Sequence, residues 1–379
     1  MKIVGAWLNH PGTQGVFRAF GHAGVAAYLV GGCVRNALLG RPVEDIDIAT
    51  PATPENVTNI AENAGFRVVP TGLSHGTVTI IADGLPHEVT TFRRDLRTDG
   101  RHAEIAFSTR IEDDAARRDF TMNALYATAA GEVIDPLGGL DDLKAGRLRF
   151  VGEAEARIRE DYLRILRFFR FHAHYADPEG GFDPEGLAAC AANSAGLETL
   201  SRERIGAEMR KLLLAPEPAP AVSTMAVCGI LAPVLPGADT RAFAPYLHHA
   251  GDMGLAPDAI ARLAALGGED AANALRLSRA EARTLTQLRE AATGTMGAAE
   301  LGYRLGADQA AHALCLRAAL MEAPLAGIEA ARAGAGATFP LRAADFPDLT
   351  GPALGAALRA AEARWIASGF GLSREQLLG

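Results

Sequence analysis

The chain has 379 residues, 49% of them apolar and 22% charged, a balance that supplies a sizeable hydrophobic core and excludes a wholly disordered chain. At roughly 100–200 residues per domain, this length predicts two or three domains. The net charge of −8 disfavours nucleic-acid binding through bulk charge, so such binding would need a local basic surface. The sequence shows neither a signal-peptide pattern nor a run of about 18 apolar residues, which favours a cytoplasmic protein. The four cysteines form no C-x-x-C pair, which predicts neither a zinc ribbon nor a disulfide framework.

The first part of the chain, residues 1–137, has the pattern of a mixed α/β domain. Apolar residues at helical spacing predict helices, and alternation of polar and apolar residues predicts strands. The predicted helices and strands are, in chain order, helix 16–27, strand 28–30, helix 34–39, strand 45–50, helix 54–64 and strands 66–70, 76–82 and 86–92. The polar, glycine-containing segment 95–102 is predicted to be a mobile loop.

From about residue 138 the pattern is almost entirely helical. A long helix is predicted over 153–175, and a second is predicted from Ser201, as its N-cap, to Leu214. The proline-rich segment 215–220 predicts a domain boundary. The fold class is therefore predicted to be α+β, with a mixed-sheet head over 1–137, a helical neck over 138–215 and a helical body and tail over 216–379.

Three acidic residues in the head predict a metal centre. Asp45 and Asp47 lie two residues apart on a predicted strand, so their carboxylates face the same side. Neighbouring carboxylates repel each other unless a cation lies between them, and hard oxygen ligands suit Mg²⁺. Glu88 lies centrally in a later strand, and pairing of the two strands would give a cluster able to hold two metals about 3.5–4 Å apart.

A glycine pair beside these acids predicts an anion site. Gly31 and Gly32 allow the backbone to approach a ligand closely, and the helix after them offers N–H groups to an anion. Arg35, one turn into that helix, can reach the same anion. We therefore expect a phosphate-bearing ligand next to the metal centre.

Four motifs, in the same order, resemble those of the class II tRNA nucleotidyltransferases and bacterial poly(A) polymerases of the polymerase-β-like superfamily. They are residues 28–40 with 45–50, residues 117–125, residues 160–171 and residues 201–213. The resemblance implies a polymerase-β-like head and the addition of C and A to the 3′ end of tRNA, with CTP and ATP as substrates and Mg²⁺ as cofactor. The implied mechanism is in-line attack of the primer 3′-hydroxyl on the α-phosphate. The last 160 or so residues carry no assignable motif.

The resemblance also implies site roles for individual residues. The catalytic, metal-binding residues are Asp45, Asp47 and Glu88, and the nucleotide-binding residues are Gly32, Arg35, Arg118, Asp161, Arg164, Arg167 and Arg170. One departure is Asn36, since relatives often carry an aspartate after the arginine, and Asn36 is left out of the catalytic set. His248-His249 is followed by Ala-Gly, which does not match the metal set of a histidine–aspartate phosphohydrolase domain.

The third motif can also be interpreted from its chemistry. Between residues 157 and 170, five arginines face only two acids, which suits a triphosphate or an RNA backbone. Asp161 can accept from the exocyclic amine of cytosine or adenine, while Arg164 donates to the neighbouring ring nitrogen or carbonyl. Uracil and guanine present the reverse pattern, at a cost of about 1–3 kcal/mol per unmade bond. Side chains would then choose the base without a template.

Three alternatives stay open at this level. A poly(A) polymerase would use the same motifs with selection of adenine alone. Residues 99–101 resemble the flexible loop that CCA-adding relatives use in switching from C to A, which favours full CCA addition. The other two alternatives are an RNA-binding module with an inactive head and a nucleotidyltransferase acting on a protein or a small molecule. The tRNA docking surface and the oligomeric state are not predicted.

Overall fold

The computed structural model describes residues 1–72, 76–99 and 102–379. The predicted fold class is confirmed, because a mixed sheet occupies the N-terminal region and helices form the remainder. None of the helices in the described ranges has the length and apolar composition of a membrane span.

The described residues of the head form nine strands. These are β1 (Tyr28–Val30), β2 (Ile46–Thr50), β3 (Arg67–Gly72), β4 (Thr77–Ala82), β5 (Leu85–Thr91), β6 (Arg93–Asp99), β7 (His102–Phe107), β8 (Tyr126–Ala127) and β9 (Val133–Ile134). Seven of them form one sheet in the order β3-β4-β5-β2-β1-β8-β9, and β6 pairs with β7 separately. Within the large sheet, β2 and β5 are parallel and the other pairs are antiparallel.

Helices cover one face of this sheet and connect its strands. The head helices are α1 (Pro11–His22), α2 (Gly32–Leu38), α3 (Pro54–Asn63), α4 (Ile111–Ala116) and α5 (Gly139–Lys144). Helices α1 and α3 pack against β4 and β5, and each begins with a proline at a position where a missing N–H costs little. Val78 and Ile80 of β4 and Ile48 of β2 are fully buried. The alternation of β2 and β5 then leaves Asp47 and Glu88 on the other face.

The remaining helices follow in an unbroken series. They are α6 (Ala154–Glu160), α7 (Leu163–Tyr175), α8 (Pro184–Ala192), α9 (Arg202–Leu213), α10 (Pro218–Val227), α11 (Leu231–Val234), α12 (Phe243–Asp252), α13 (Ala259–Leu266), α14 (Ala271–Ala274), α15 (Arg279–Thr293), α16 (Ala298–Leu305), α17 (Ala307–Leu320), α18 (Ile328–Ala335), α19 (Gly351–Ala367) and α20 (Arg374–Leu378).

The chain packs as two compact units. One unit consists of Met1–Glu208 with Ala215–Val234, and the other of Met209–Leu214 with Leu235–Gly379. In the first unit, stacked and tilted rings of Phe120, Phe150 and Phe168 join the end of the head to α7. The predicted three-part functional division at residues 137 and 215 is a different kind of boundary and stays a prediction.

In the second unit, α16 and α18 approach so closely that a Cβ on Gly302 would lie 1.8 Å from the carbonyl oxygen of Ala331. Arg317 of α17 donates to four carbonyl oxygens at and beyond the end of α15, those of Ala291, Ala292, Gly294 and Met296. An arginine placed in this way satisfies backbone acceptors that have no partner within their own helix. The second unit is thus fixed by close helix packing and by arginine capping of a helix end.

Two of the predicted elements are wrong. The predicted loop 95–102 falls largely on β6 and β7, which pair with each other, while Gly100 and Arg101 lie outside the described residues. An Asp-Gly pair between two extended segments is a hairpin signal, and the charged composition concealed it. The predicted helix 153–175 is broken, because Asp161 has an extended backbone between α6 and α7 (φ −156°, ψ 105°). Its carboxylate accepts from the N–H of Leu163, the first residue of α7, at 3.1 Å, and Tyr162 occupies the N-cap position.

Candidate active site

Two of the three predicted carboxylates lie side by side on the open face of the sheet. Asp47 of β2 and Glu88 of β5 are register partners across the parallel pair, and Asp45 stands one residue before β2. The sequence analysis made the role of Glu88 depend on pairing of its strand with that of Asp47, and the two strands are paired. Asp45 and Glu88 are exposed, whereas Asp47 is half-buried.

The charges around Asp47 are unbalanced. Burial first, and then the negative charges of Glu88 and Asp45, raise the pKa of Asp47 to about 6, while Arg118 and Arg35 oppose this rise. Among the described residues, no three His, Cys, Asp or Glu side chains are gathered closely enough to hold a metal ion. The donor set is nevertheless one of carboxylates alone, which fits a hard divalent cation, and a cation between these groups would relieve their repulsion.

The glycine turn lies directly beside two of the predicted arginines. Gly31 caps α2 with a φ of +70°, a conformation that favours glycine, and its N–H donates to the Leu125 carbonyl at 3.0 Å. A Cβ on Gly31 would lie 3.2 Å from Nη1 of Arg118, and one on Gly32 would lie 3.8 Å from Nη2 of Arg35. The turn therefore places the backbone of Gly31 and Gly32, which carries no side chain, next to the guanidinium groups of Arg118 and Arg35.

Arg118 is held by a buried acid that sequence reasoning missed. Asp114 of α4 is fully buried and accepts from Arg118 Nη2 at 2.9 Å, from Arg117 Nη2 at 2.6 Å and from the Tyr126 hydroxyl at 2.7 Å. Although burial opposes ionisation, the charges of Arg118 and Arg117 prevail and hold the pKa of Asp114 at about 2. Asp114 thereby fixes the position of Arg118 beside the glycine turn.

Arg167 and Arg170 of α7 are held in the same manner. Asp119 accepts from Nε and Nη2 of Arg167 at 2.7 and 2.5 Å and from Nδ2 of Asn123 at 2.9 Å. Its pKa is lowered to about 2, because Arg167 and Asn123 outweigh the effect of burial. Arg170 forms an ion pair with the buried Glu208 of α9 at 2.8 Å. Both arginines are thus oriented by acids from other elements.

Arg35 makes mostly internal contacts. It is 6% exposed, donates to Asn36, Asn123 and Tyr175, and stacks over the Tyr175 ring at 4.1 Å. Burial lowers the pKa of its guanidinium. The guanidinium of Arg35 is therefore largely occupied by hydrogen bonds within the protein.

The predicted base-selecting residues, Asp161 and Arg164, lie on different elements: Asp161 in the break between α6 and α7, and Arg164 in α7. Asp161 accepts from Arg204 Nη2 at 2.6 Å. Arg164, in the first turn of α7, donates to the Glu160 carboxylate at 2.5 Å and to the Arg117 carbonyl at 3.2 Å. The two side chains are close in sequence but have different partners, and the predicted helix 153–175 that would have carried both is broken at Asp161.

The residues that sequence reasoning missed are the acids and the tyrosines that orient the arginines. They are Asp114, Asp119, Glu208, Tyr126 and Tyr175. Asp119 and Glu208 lie inside two of the four motifs. An acidic residue within an arginine-containing motif was therefore the sequence feature that could have identified them. Buried acids need such partners, because an unpaired buried charge is costly.

Two family models match parts of this chain. The family model described as "Poly A polymerase head domain" matches residues 27–149, and the one described as "Probable RNA and SrmB- binding site of polymerase A" matches residues 181–241. The first match contains all three carboxylates and Arg118, and the second contains Arg204 and Glu208. Both descriptions name poly(A) polymerase, which agrees with the resemblance carried by the sequence motifs.

Curated proteins are similar to this chain over about half of its length. The human "CCA tRNA nucleotidyltransferase 1, mitochondrial" is 46% identical over 187 residues, which are 49% of this chain and 43% of the relative. The "CCA-adding enzyme" of Streptococcus pyogenes serotype M2 (strain MGAS10270) is 45% identical over 210 residues, which are 54% and 50% of the two chains. The chain thus spans about half the length of the curated relatives it matches.

Solved structures resemble nearly the whole chain. One of them is the crystal structure of the Bacillus stearothermophilus CCA-adding enzyme in complex with CTP, with a TM-score of 0.74 and 29% identity over 97% of this chain and 96% of that chain. The likeness to the fold of that enzyme therefore extends through the C-terminal helices, in which the sequence shows no motif.

Proposed function

We propose that this chain is a CCA tRNA nucleotidyltransferase. It adds C and A nucleotides to the 3′ end of tRNA, taking CTP and ATP as substrates and releasing pyrophosphate. The observation that carries the proposal is the pairing of Asp47 with Glu88 on parallel strands, beside a glycine turn and a set of fixed arginines. The names of the most similar relatives support tRNA as the acceptor and CCA as the product.

The proposed cofactor is Mg²⁺, held by Asp45, Asp47 and Glu88. When bound, it supplies charge neutralisation of the triphosphate and a lowered pKa for the primer 3′-hydroxyl. The carboxylates themselves define where the primer end and the α-phosphate meet. Because Asp47 is fixed within a strand of the sheet, its position does not depend on a mobile loop.

The triphosphate is proposed to contact Gly32, Arg35, Arg118, Arg167 and Arg170. Arg118, Arg167 and Arg170 each have a buried acid as partner, so their guanidinium groups are oriented before the nucleotide arrives. Groups oriented in advance need little rearrangement on binding, which favours electrostatic stabilisation.

Base selection is proposed to rest on Asp161 and Arg164. In the structure, Arg204 and the Leu163 N–H each occupy one carboxylate oxygen of Asp161. A carboxylate oxygen has more than one lone pair, so Asp161 retains acceptor capacity for an exocyclic amine. Arg204 and the start of α7 hold the carboxylate still while it accepts that bond.

The remaining assignments complete the proposal. The head over 1–137 carries catalysis, the neck over 138–215 selects the nucleotide and binds RNA, and the body over 216–379 contacts tRNA. The protein is proposed to be cytoplasmic, and its four free cysteines are compatible with a reducing compartment.

A poly(A) polymerase is the second candidate, since the matching family models are named for that enzyme. The two functions differ in their products. The test is incubation of the purified chain with tRNA ending at the discriminator base, with labelled CTP and ATP separately and together, followed by sequencing of the 3′ ends.

The expected product is tRNA ending in CCA, formed only when both nucleotides and Mg²⁺ are present. Runs of A from ATP alone would identify the poly(A) polymerase, and no incorporation would indicate an inactive head. Asp141→Asn is the matched control for substitution of Asp45, Asp47 or Glu88, because Asp141 is exposed on α5 and forms a 3.8 Å ion pair with Lys144.

A further inference from the structure

The side chain of Asn36 contacts two functional segments at once. Its Oδ1 accepts from Nε and Nη2 of Arg35 at 3.2 and 2.9 Å, and its Nδ2 donates to the Pro42 carbonyl at 2.9 Å. The amide orientation follows from chemistry, since a guanidinium only donates and a carbonyl only accepts. Each end of this amide therefore has one possible partner.

The segment that Asn36 holds leads directly to Asp45. Helix α2 ends in a turn at Gly40 (φ +65°), after which the Arg41 N–H donates to the backbone carbonyl of Asn36 at 2.8 Å. Asn36 thus contacts Arg41 through its main chain and Pro42 through its side chain. Three residues after Pro42 comes Asp45, the exposed carboxylate before β2.

Tyr175 of α7 closes the same cluster from the other side. Its hydroxyl accepts from Arg35 Nη2 at 2.8 Å, and its ring lies beneath the guanidinium groups of Arg35 at 4.1 Å and Arg41 at 4.9 Å. Nη1 of Arg41 donates to the His174 carbonyl at 2.7 Å. The end of α7 and the segment before Asp45 are therefore both tied to Arg35 and Arg41.

We infer that Asn36 is a positioning residue that fixes the Asp45 segment and the Arg35 guanidinium relative to each other through the two ends of one amide. The inference rests on the proposed function, in which Asp45 binds metal and Arg35 contacts the triphosphate. It also gives a reason for asparagine at this position. An aspartate keeps the acceptor for Arg35 but has no N–H for the Pro42 carbonyl.

Two substitutions separate the two ends of the amide. Asn36→Asp keeps the shape and the acceptor and removes the donor, whereas Asn36→Leu removes both. Hydrogen exchange of the amides in 39–46 reports on the segment without requiring activity. Both variants are expected to exchange there roughly three- to tenfold faster, since each loses one net hydrogen bond to Pro42.

Kinetics on a tRNA primer supply the second readout. Asn36→Asp is expected to lower kcat about three- to tenfold and to leave the KM for CTP within about twofold, because Arg35 keeps its acceptor. Asn36→Leu is expected to lower kcat similarly and also to raise the KM for CTP about three- to tenfold. The control is Asn63→Asp, which adds the same charge at an exposed position at the end of α3 and should change neither readout.

The outcomes separate this inference from the proposed function. Unchanged exchange at 39–46 in Asn36→Asp overturns the inference even when the wild type adds nucleotides. Faster exchange with an unchanged kcat also overturns it, because the tether would then be structural only. A folded wild type that adds no nucleotide overturns the proposed function, whereas the exchange result is obtained regardless.

Discussion

Two groups of acids in the first unit differ in how their charge is compensated. Asp47 and Glu88 are neighbours on one face of β2 and β5, with Asp45 just before β2, and the pKa of Asp47 is raised to about 6 by burial and by its acidic neighbours. Asp114 and Asp119, in contrast, are each bonded to arginines, and their pKa values are lowered to about 2. The arginines near the first group, Arg118 and Arg35, do not offset the rise in the pKa of Asp47, and in the proposed function a divalent cation binds these carboxylates. The second group is already neutralised and serves to orient arginines.

This difference teaches which acids to associate with chemistry and which with architecture. Uncompensated like charge costs stability and persists where a ligand relieves it. Compensated charge contributes to the fold and arranges the groups that contact a ligand. Substitution in the first group should therefore mainly reduce activity, whereas substitution in the second group should mainly reduce the free energy of unfolding.

The largest expected effect is on catalysis. Asp47→Asn should reduce nucleotide addition by at least about 10³-fold, since a carboxylate that holds the metal contributes several kcal/mol to the transition state. The measurement is the rate of primer extension on tRNA at saturating CTP and ATP in Mg²⁺. Near-normal turnover would remove Asp47 from the catalytic set, and Asp141→Asn should retain full activity.

The next largest effect is on stability. Asp119→Asn leaves Arg167 without its bidentate partner at a mostly buried position, which should lower the free energy of unfolding by about 3 kcal/mol. Urea unfolding measures this difference. The matched comparison is Asp113→Asn on α4, since Asp113 is partly buried and accepts a hydrogen bond from the neutral Ser108 hydroxyl. An equal loss in both variants would argue against a special contribution from Asp119.

Acid should weaken the second group in a defined pH window. The folded pKa values of Asp114 and Asp119 lie near 2 and the ordinary value is 3.8, so their contribution is complete above about pH 4. It is lost as the pH falls through the folded value, at about 2 kcal/mol for each group. Urea unfolding at about pH 5 and about pH 3 should show a smaller pH dependence in Asp114→Asn than in the wild type. Parallel pH curves for the two proteins would contradict this assignment.

The smallest expected effect concerns base choice. Asp161→Ala removes an acceptor for an exocyclic amine, so the preference for CTP and ATP over UTP and GTP should fall by roughly 5- to 150-fold, or about 1–3 kcal/mol. The measurement is kcat/KM for the four nucleotides on one tRNA primer. Arg159→Ala is the control, because Arg159 is exposed and forms an i,i+4 ion pair with Glu155. A uniform decrease that leaves the ratios intact would show that Asp161 only anchors Arg204 and α7.

Much of the head could be predicted from the sequence, because its signals are local. The alternation in residues 45–50 predicted β2, and the glycine pair before residues 34–39 predicted the turn into α2. The break at Asp161 was missed because the helical spacing of apolar residues continues through it. The hydrogen bond that accompanies the break, from the Leu163 N–H to Asp161, involves a single side chain. The hairpin arms β6 and β7 were missed because backbone pairing does not require apolar residues.

The candidate site was predictable in its residues and less so in its contacts. The three carboxylates and the arginines were found from spacing and resemblance. Their partners were not, because Asp119 and Arg167 lie 48 residues apart and Arg35 and Tyr175 lie 140 apart. No local pattern encodes such pairs. They follow from the packing of α7 against the head.

The central claim is that Asp45, Asp47 and Glu88 form a cation site. Urea unfolding of the wild type and Asp47→Asn, with and without Mg²⁺, tests this claim most directly. Without Mg²⁺, Asp47→Asn should be at least as stable as the wild type, because one repelling charge is gone. Added Mg²⁺ should raise the free energy of unfolding of the wild type and leave that of the variant unchanged. A loss of stability in the metal-free variant, or an equal gain from Mg²⁺ in both proteins, would contradict the account.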